Sequence, residues 1–169
     1  VTNDAWDASH VQRALDTLAP DIQIRFFEKS TATSQMAADE IGCHLGQIAK
    51  SILFLIDGAP VMVIASGNQR IDDRKLATLL GVSRKKVRTA TAENCIEITG
   101  YAPGGVPPLG HRRDDIRIFI EDSLGRYETI YAAAGAHNAI MPMAFTTLVA
   151  LSNGTLADLR REIDPSAPA

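Results

Sequence analysis

Lys50 is the residue hardest to explain as passive core. It interrupts the run Ile48-Ala49-Lys50-Ser51-Ile52-Leu53-Phe54-Leu55-Ile56, which reads as a strand apolar on both faces and therefore inside a sheet. A buried ammonium is costly unless it is paired or faces a cavity. Lys50 is therefore expected to reach into a pocket and hold an anionic or carbonyl-bearing ligand; the alternative is a strand-edge lysine lifting its head to water. A second stretch, Thr99 to Arg113, reads TGYAPGGVPPLGHRR, with three prolines and three glycines between Pro103 and Gly110. Neither a helix nor a central strand can run through it. That mixture describes a rigid loop whose glycine N–H groups, those of Gly104 and Gly105 among them, are open to a ligand. Read more plainly, it is a long connection stiffened by proline.

Other chemistry-bearing side chains are scattered. His137 follows the Gly135-Ala136 break at the end of a predicted strand, where it can orient a ligand or move a proton, or simply sit in a surface loop. His111 leaves the Gly/Pro loop among cations, and Asp122 heads a turn, a position Asp favours for local hydrogen bonding alone. Arg84, Lys85, Lys86 and Arg88 place four cations in five positions, and with Arg112 and Arg113 they offer phosphate contacts or a solvated face. Aromatic residues, at 5%, are few for base stacking. His10, His44, Cys43 and Cys95 show no metal-ligand spacing, so no metal or cofactor is expected. No GxGxxG, Walker loop, HExxH, GxSxG or CxxC pair occurs, which leaves nucleotide-phosphate, zinc-protease and serine-hydrolase readings without a motif.

The elements that must position these groups follow from pattern and caps. A helix is expected over Asp7 to Leu18, stopped by Pro20, then an alternating strand over Ile22 to Glu28. Thr33 or Ser34 caps a helix ending at Gly42; the Lys50 strand and Ala59 to Ser66 form a hairpin about Asp57-Gly58. Asp72 or Asp73 opens a helix closed by Gly81, and a short helix from Thr91 leads into the Gly/Pro loop. Ile116 to Glu121 is read as a strand, with Tyr127 to Ala134 as its antiparallel partner. Phe145 to Leu151 and Thr155 to Ile163 are read as closing helices, the second opening on a Thr155/Asp158 capping box. Hairpins interspersed with helices give α+β: one compact domain over residues 1–163, with a curved mixed, mainly antiparallel sheet flanked by helices, and a flexible tail over 164–169.

Composition agrees. At 169 residues, 46% hydrophobic and 22% charged, the chain suits one core. No apolar run approaches the ~20 residues of a membrane span, and the N-terminal VTNDAWDASH has no secretory pattern. The two cysteines are read as reduced thiols of a cytoplasmic protein. A net charge of −3 argues against broad nucleic-acid coating while allowing a local basic face.

Together QIAKSILFL, KLATLLG, TGYAPGGVPPLGH and IFIEDSLGRYETIYAAAG resemble the YbaK/EbsC family and the editing domain inserted in bacterial prolyl-tRNA synthetases, from about Thr31 to Leu159. The resemblance implies hydrolysis of mischarged aminoacyl-tRNA, chiefly tRNA(Pro) carrying a wrong small amino acid such as Ala, Cys, Ser or Thr, without a cofactor. It makes Lys50 the principal functional side chain and sets the loop Gly104–Pro108 against the aminoacyl-adenosine end. Gly104 and Gly105 become oxyanion or adenosine donors, His137 a pocket histidine, and Asp122 the acid of the family's D-S-L turn. Met36, Ile48, Val63 and Ala65 would size the amino-acid pocket, and Arg84, Lys85, Lys86, Arg88, His111, Arg112 and Arg113 would meet the tRNA, with prolyl-tRNA synthetase as a partner. Ser51 after the lysine and Pro107 in the loop, where members often carry a small polar residue, depart from the family pattern near this pocket and leave the amino acid unassigned. A non-catalytic module for an acceptor end or synthetase, and a hydrolase of another small acyl ester, stay open beside this reading.

Overall fold

The apolar run around Lys50 becomes the central strand of the protein. The structure is a computed structural model that describes residues 4–163 and 166. The tail expected over 164–169 therefore lies outside the described residues, Ser166 apart. Among the described residues eight strands form one mixed sheet: β1 (Arg25–Phe26), β2 (Ile48–Ile56), β3 (Ala59–Ser66), β4 (Val87–Thr89), β5 (Arg117–Glu121), β6 (Thr129–Ala133), β7 (Ala139–Ala144) and β8 (Thr155–Ala157). Their spatial order is β1-β7-β6-β2-β3-β5-β8, with β4 paired to β2 off that path. The β2–β3 hairpin is antiparallel, as are β2–β4, β6–β7 and β1–β7, whereas β2–β6, β3–β5 and β5–β8 are parallel. No helix among the described residues is long and apolar enough to cross a membrane.

Five helices among the described residues cover the sheet: α1 (Ala8–Leu18), α2 (Ser34–Ile41), α3 (Asp73–Leu80), α4 (Ala92–Thr99) and α5 (Phe145–Ser152). Their starts are written locally. Asp7, Thr33, Asp72 and Thr91 each accept a backbone N–H of the first turn, while Gly42, Gly81 and Gly100 close α2, α3 and α4 in the left-handed conformation. Alternation along β2 sends Ala49 and Leu53 into the main core with Val11 and Leu15 of α1, Cys95 and Ile98 of α4, and Leu148 of α5. Phe54 and Ile56 point the other way, to Leu76 of α3 and Val61, Val63 and Phe119. Ile48 packs on that same side against Ala37 and Ala38 of α2.

Three expectations are corrected. The strand read over Ile22 to Glu28 is reduced to Arg25–Phe26, because β7 offers partners only at Ile140 and Ala139. β6 is not the partner of β5: five residues of 3-10 turn from Asp122 to Arg126 carry the chain across, so β5 joins β3 and β8 while β6 joins β2 and β7. The helix read over Thr155 to Ile163 does not form. α5 ends at left-handed Asn153, and β8 instead extends the sheet beyond β5. Backbone pairing continues as the Asp72 N–H donates to Leu159 and the Arg161 N–H to Arg70, each at 2.7 Å. Asp158 accordingly meets Lys75 at 3.3 Å and serves no cap. Leu156 and Leu159 sit at helical spacing, yet the first is 49% exposed and the second 1%; tertiary pairing overrides the local pattern.

Leu159→Ala removes a side chain wholly enclosed by the Phe119/Leu76 cluster, and is expected to lower unfolding free energy by about 2–5 kcal/mol in urea titration. Leu156→Ala, on the exposed edge, is expected to change it by less than about 1 kcal/mol.

Candidate active site

A central strand ordinarily pairs along both edges, and β2 does not. Toward β3 it is bonded from Ala49 to Ile56. On the other edge, β6 pairs only Ile48 and Ala49, and β4 pairs only Phe54 to Ile56. Between them the sheet forks, bridged by the Ala90 N–H donating to the Leu53 carbonyl at 2.9 Å. A cavity of about 450 Å³ opens at this fork, a volume within the range of small-molecule sites. Its walls are β2 from Ile48 to Leu53, the entry to α2 from Thr31 to Ser34, Thr89 and Ala90 after β4, Cys95 of α4, Ala133 and Ile140 of β6 and β7, and Pro103, Gly104 and Val106 of the Gly/Pro loop.

Lys50 is half-buried in this wall. Burial is the larger cause of its lowered pKa, and the nearby Arg70 charge adds to it. None of the hydrogen bonds or ion pairs among the described residues involves its ammonium. A half-buried cation without a partner carries a desolvation cost.

The Gly/Pro loop is stitched down at both ends. The Tyr101 hydroxyl donates to Gly110 (3.1 Å), and the Arg112 and Arg113 N–H groups donate to Thr99 and Ile98 at the end of α4. Burial raises the Tyr101 pKa to about 12, so the phenol keeps its proton. His111 Nε2–H donates to Pro107 at 2.7 Å, which fixes the tautomer, and burial lowers the His111 pKa. Gly104 adopts φ +89°, and a Cβ there would fall 2.9 Å from the Ala32 carbonyl oxygen. Only glycine fits that close approach to the α2 entry. Its N–H has no acceptor among the described residues.

Lys50, Gly104 and Ile48 thus share one cavity, and other expected site residues stand elsewhere. Gly105 lies behind the wall: its N–H donates to Ala102 (3.1 Å) and its carbonyl accepts from Gly135 (2.9 Å), so it has no donor to offer a ligand. Met36 is 40% exposed on the outer face of α2. Ala65 lies directly across from Lys50, and Val63 across from Ile52, both fully buried without lining the cavity. Pro108 faces a second cavity on the far side of the loop, shared with His111 and Arg113. Asp122 is exposed at the start of the 3-10 turn and does not line the first cavity. The His137 ring is also exposed, but its backbone carbonyl accepts the Thr31 N–H at 2.6 Å and so anchors the α2 entry.

The cation run is half neutralised. Arg84 pairs with Asp73 at 3.0 Å, Lys86 with Asp57 at 3.1 Å, and Arg113 with Asp115. Arg112 stacks over Trp6 with 5.1 Å to the ring centroid. The side chains of Lys85 and Arg88 are exposed and make no hydrogen bond or ion pair among the described residues, and Arg88 is the immediate neighbour of the cavity residue Thr89. Thr31, Thr89, Cys95 and Ile140 carried no signal in the sequence, because each reaches the cavity through pairing or packing with distant segments.

Residues 28–151 match the family described as aminoacyl-tRNA editing domain. The Bacillus subtilis protein YwhH, of uncharacterised function, is 35% identical over 118 residues, covering 69% of this chain and 73% of that protein. EbsC of Enterococcus faecalis, named as a proposed Cys-tRNA(Pro)/Cys-tRNA(Cys) deacylase, is 27% identical over 128 residues, covering 75% of this chain and 76% of its own. A crystal structure described as a proposed trans-editing enzyme for prolyl-tRNA synthetase superposes with a TM-score of 0.85 at 33% identity, covering 92% of this chain and 97% of that one.

Two measurements check this geometry. Gly104→Ala forces a side chain into a left-handed position against Ala32, and is expected to cost more than about 1 kcal/mol of stability in urea titration. The Lys50 13Cε resonance is expected to titrate with a midpoint below the ordinary 10.5. Between the folded and unfolded pKa values the unfolded chain binds the extra proton, so the Lys50 contribution makes stability rise as pH climbs through that window. A Lys50→Met chain is expected to lose that rise.

Proposed function

This chain belongs to the aminoacyl-tRNA editing domain family, and from that premise we propose that it hydrolyses the ester of a mischarged aminoacyl-tRNA in trans. The substrates proposed are tRNA(Pro) molecules carrying a wrong small amino acid, Ala, Cys, Ser or Thr. The observation that carries the reading is the unpaired Lys50 ammonium in one cavity with the open N–H of Gly104. The described structural neighbour links this fold to prolyl-tRNA synthetase, which is the partner proposed here. Residues 1–163 are proposed to act as one deacylase domain, working in the cytoplasm where tRNA is charged.

The chemistry asks little of the protein. An aminoacyl ester is already activated, so positioning the reactants and stabilising the developing oxyanion are the main tasks. Lys50 supplies positive charge to the carbonyl oxygen as it becomes negative, and the Gly104 N–H donates from a loop held in place before substrate arrives. Water attacks the ester carbonyl carbon, and the free hydroxyl on the terminal ribose relays its proton to the departing ester oxygen, which is consistent with a wall whose only ionisable side chains among the described residues are Lys50 and Cys95. Burial raises the Cys95 pKa, which keeps it a thiol and unsuited to act as a base. Arg88, next to the cavity residue Thr89, and the unpaired side chain of Lys85 are the cations proposed for phosphate contacts. Because one methylene is worth only ~1–3 kcal/mol in a synthetase pocket, small amino acids are the ones that need a second hydrolytic check.

The lack of a general base on the wall favours a second reading, a non-catalytic module that holds the acceptor end. Incubation with tRNA(Pro) charged in turn with Pro, Ala, Cys, Ser and Thr separates the two. At least one mischarged ester is expected to be lost with the wild-type chain, and that loss should fall at least a hundredfold with Lys50→Ala. Salt-dependent binding of every charged tRNA without turnover would leave the module as the function.

A further inference from the structure

Two hydroxyls on the cavity wall, Ser34 Oγ and Ser51 Oγ, are buried with no hydrogen-bond partner among the described residues. Buried polar groups are nearly always paired, and leaving one unpaired forfeits its hydration. Both residues line one ligand-sized cavity, so a small turn of either side chain brings its closed-off hydroxyl to a ligand that supplies the missing partner. Ser34 opens α2 on the face of β2 that carries Ile48 and Lys50. Ser51 lies on the opposite face, by alternation with Ala49 and Leu53, where Leu53, Cys95 and Val106 make its surroundings apolar.

The backbone of Ser51 is equally open. Leu53 turns its carbonyl away from β3 to accept the Ala90 N–H, and by the alternation of an extended strand Ser51 turns its N–H and C=O the same way. Pairing with β6 has ended at Ala49 and pairing with β4 has not begun, so these groups face the fork. Ser51 therefore presents a donor, an acceptor and a hydroxyl able to do both, beside the apolar surroundings given by Leu53, Cys95 and Val106. An α-ammonium suits the carbonyl, and a small side chain with its own hydroxyl suits the Oγ.

Resting on the deacylation reading, we infer that Ser51 is the specificity residue of the cavity, selecting an aminoacyl ester whose side chain bears a hydroxyl, seryl or threonyl, over alanyl. An alanyl methyl leaves the Ser51 hydroxyl buried and unpaired, whereas a seryl hydroxyl both donates to it and accepts from it. A cysteinyl thiol, a weak donor and acceptor, falls between.

The test compares kcat/KM for seryl- and alanyl-tRNA(Pro) with the wild-type chain and with Ser51→Ala, a change small enough to leave the strand intact. The wild-type chain is expected to favour seryl by about tenfold or more, and Ser51→Ala to lose that preference mainly through a slower seryl reaction. Binding of the amide-linked analogues 3′-seryl- and 3′-alanylamino-3′-deoxyadenosine gives a readout that needs no turnover, with the same preference expected in the ratio of Kd values. Equal rates or equal Kd values for the two side chains overturn the inference while leaving deacylation standing, as does a ratio that Ser51→Ala leaves unchanged. A wild-type chain that hydrolyses no ester and binds neither analogue overturns the deacylation reading and this inference with it.

Discussion

The divided edge of β2 is the constraint on which the rest of the structure depends. A strand apolar on both faces needs cover on both, and α1, α4 and α5 provide it on one side while α2 and α3 provide it on the other. Its hydrogen-bonding edge is shared between β6 and β4, which leave it at different points. What opens between them is bounded by the strongest structure in the protein, the β2–β3 hairpin, paired along its whole length. The cavity thereby gains rigid walls without a single long loop defining it. Sites carried on strands and helices hold their geometry more closely than sites carried on loops.

The Gly/Pro loop meets that scaffold as a prefabricated part. Tyr101 and His111 tie its interior to itself, and α4 holds its exit through two backbone carbonyls. Val106 and Leu109 are buried in the main core, so the loop is anchored by packing as well as by hydrogen bonds. Left-handed Gly104 then comes against Ala32, at the start of the segment that the His137 carbonyl secures. Backbone groups thus set most of the geometry, and side chains other than Lys50 and the buried serines contribute mainly shape.

What was legible in the sequence was what is local. The β2 and β3 boundaries, the caps of four helices and the rigid loop follow from periodicity and from residues that act on their own neighbours. Lys50 stood out because its charge contradicts its surroundings. Pairing partners were not legible: nothing in Tyr127 to Ala134 says that its partner is β7 rather than β5, and the helical spacing of Leu156 and Leu159 says nothing of the β5 edge that takes up Thr155 to Ala157 instead. The same limit explains the cations. Asp57 and Asp73 reach Lys86 and Arg84 only once the chain has folded, so half of a run that reads as a basic face is tied up in ion pairs. For Gly105 and His137 the sequence marked useful positions, but their backbones hold other elements in place.

The fork also fixes when the cavity can come into being. Its walls draw on residues 31–34 near one end of the chain and on Ala133 and Ile140 near the other. The parallel β2–β6 contact that closes one side joins positions more than eighty residues apart. Contacts at such separations are slow to form, because the intervening chain must be ordered first. A nascent chain that has formed its β2–β3 hairpin and its Gly/Pro loop still lacks β6 and β7. The cavity is therefore complete only once the second half of the sheet docks.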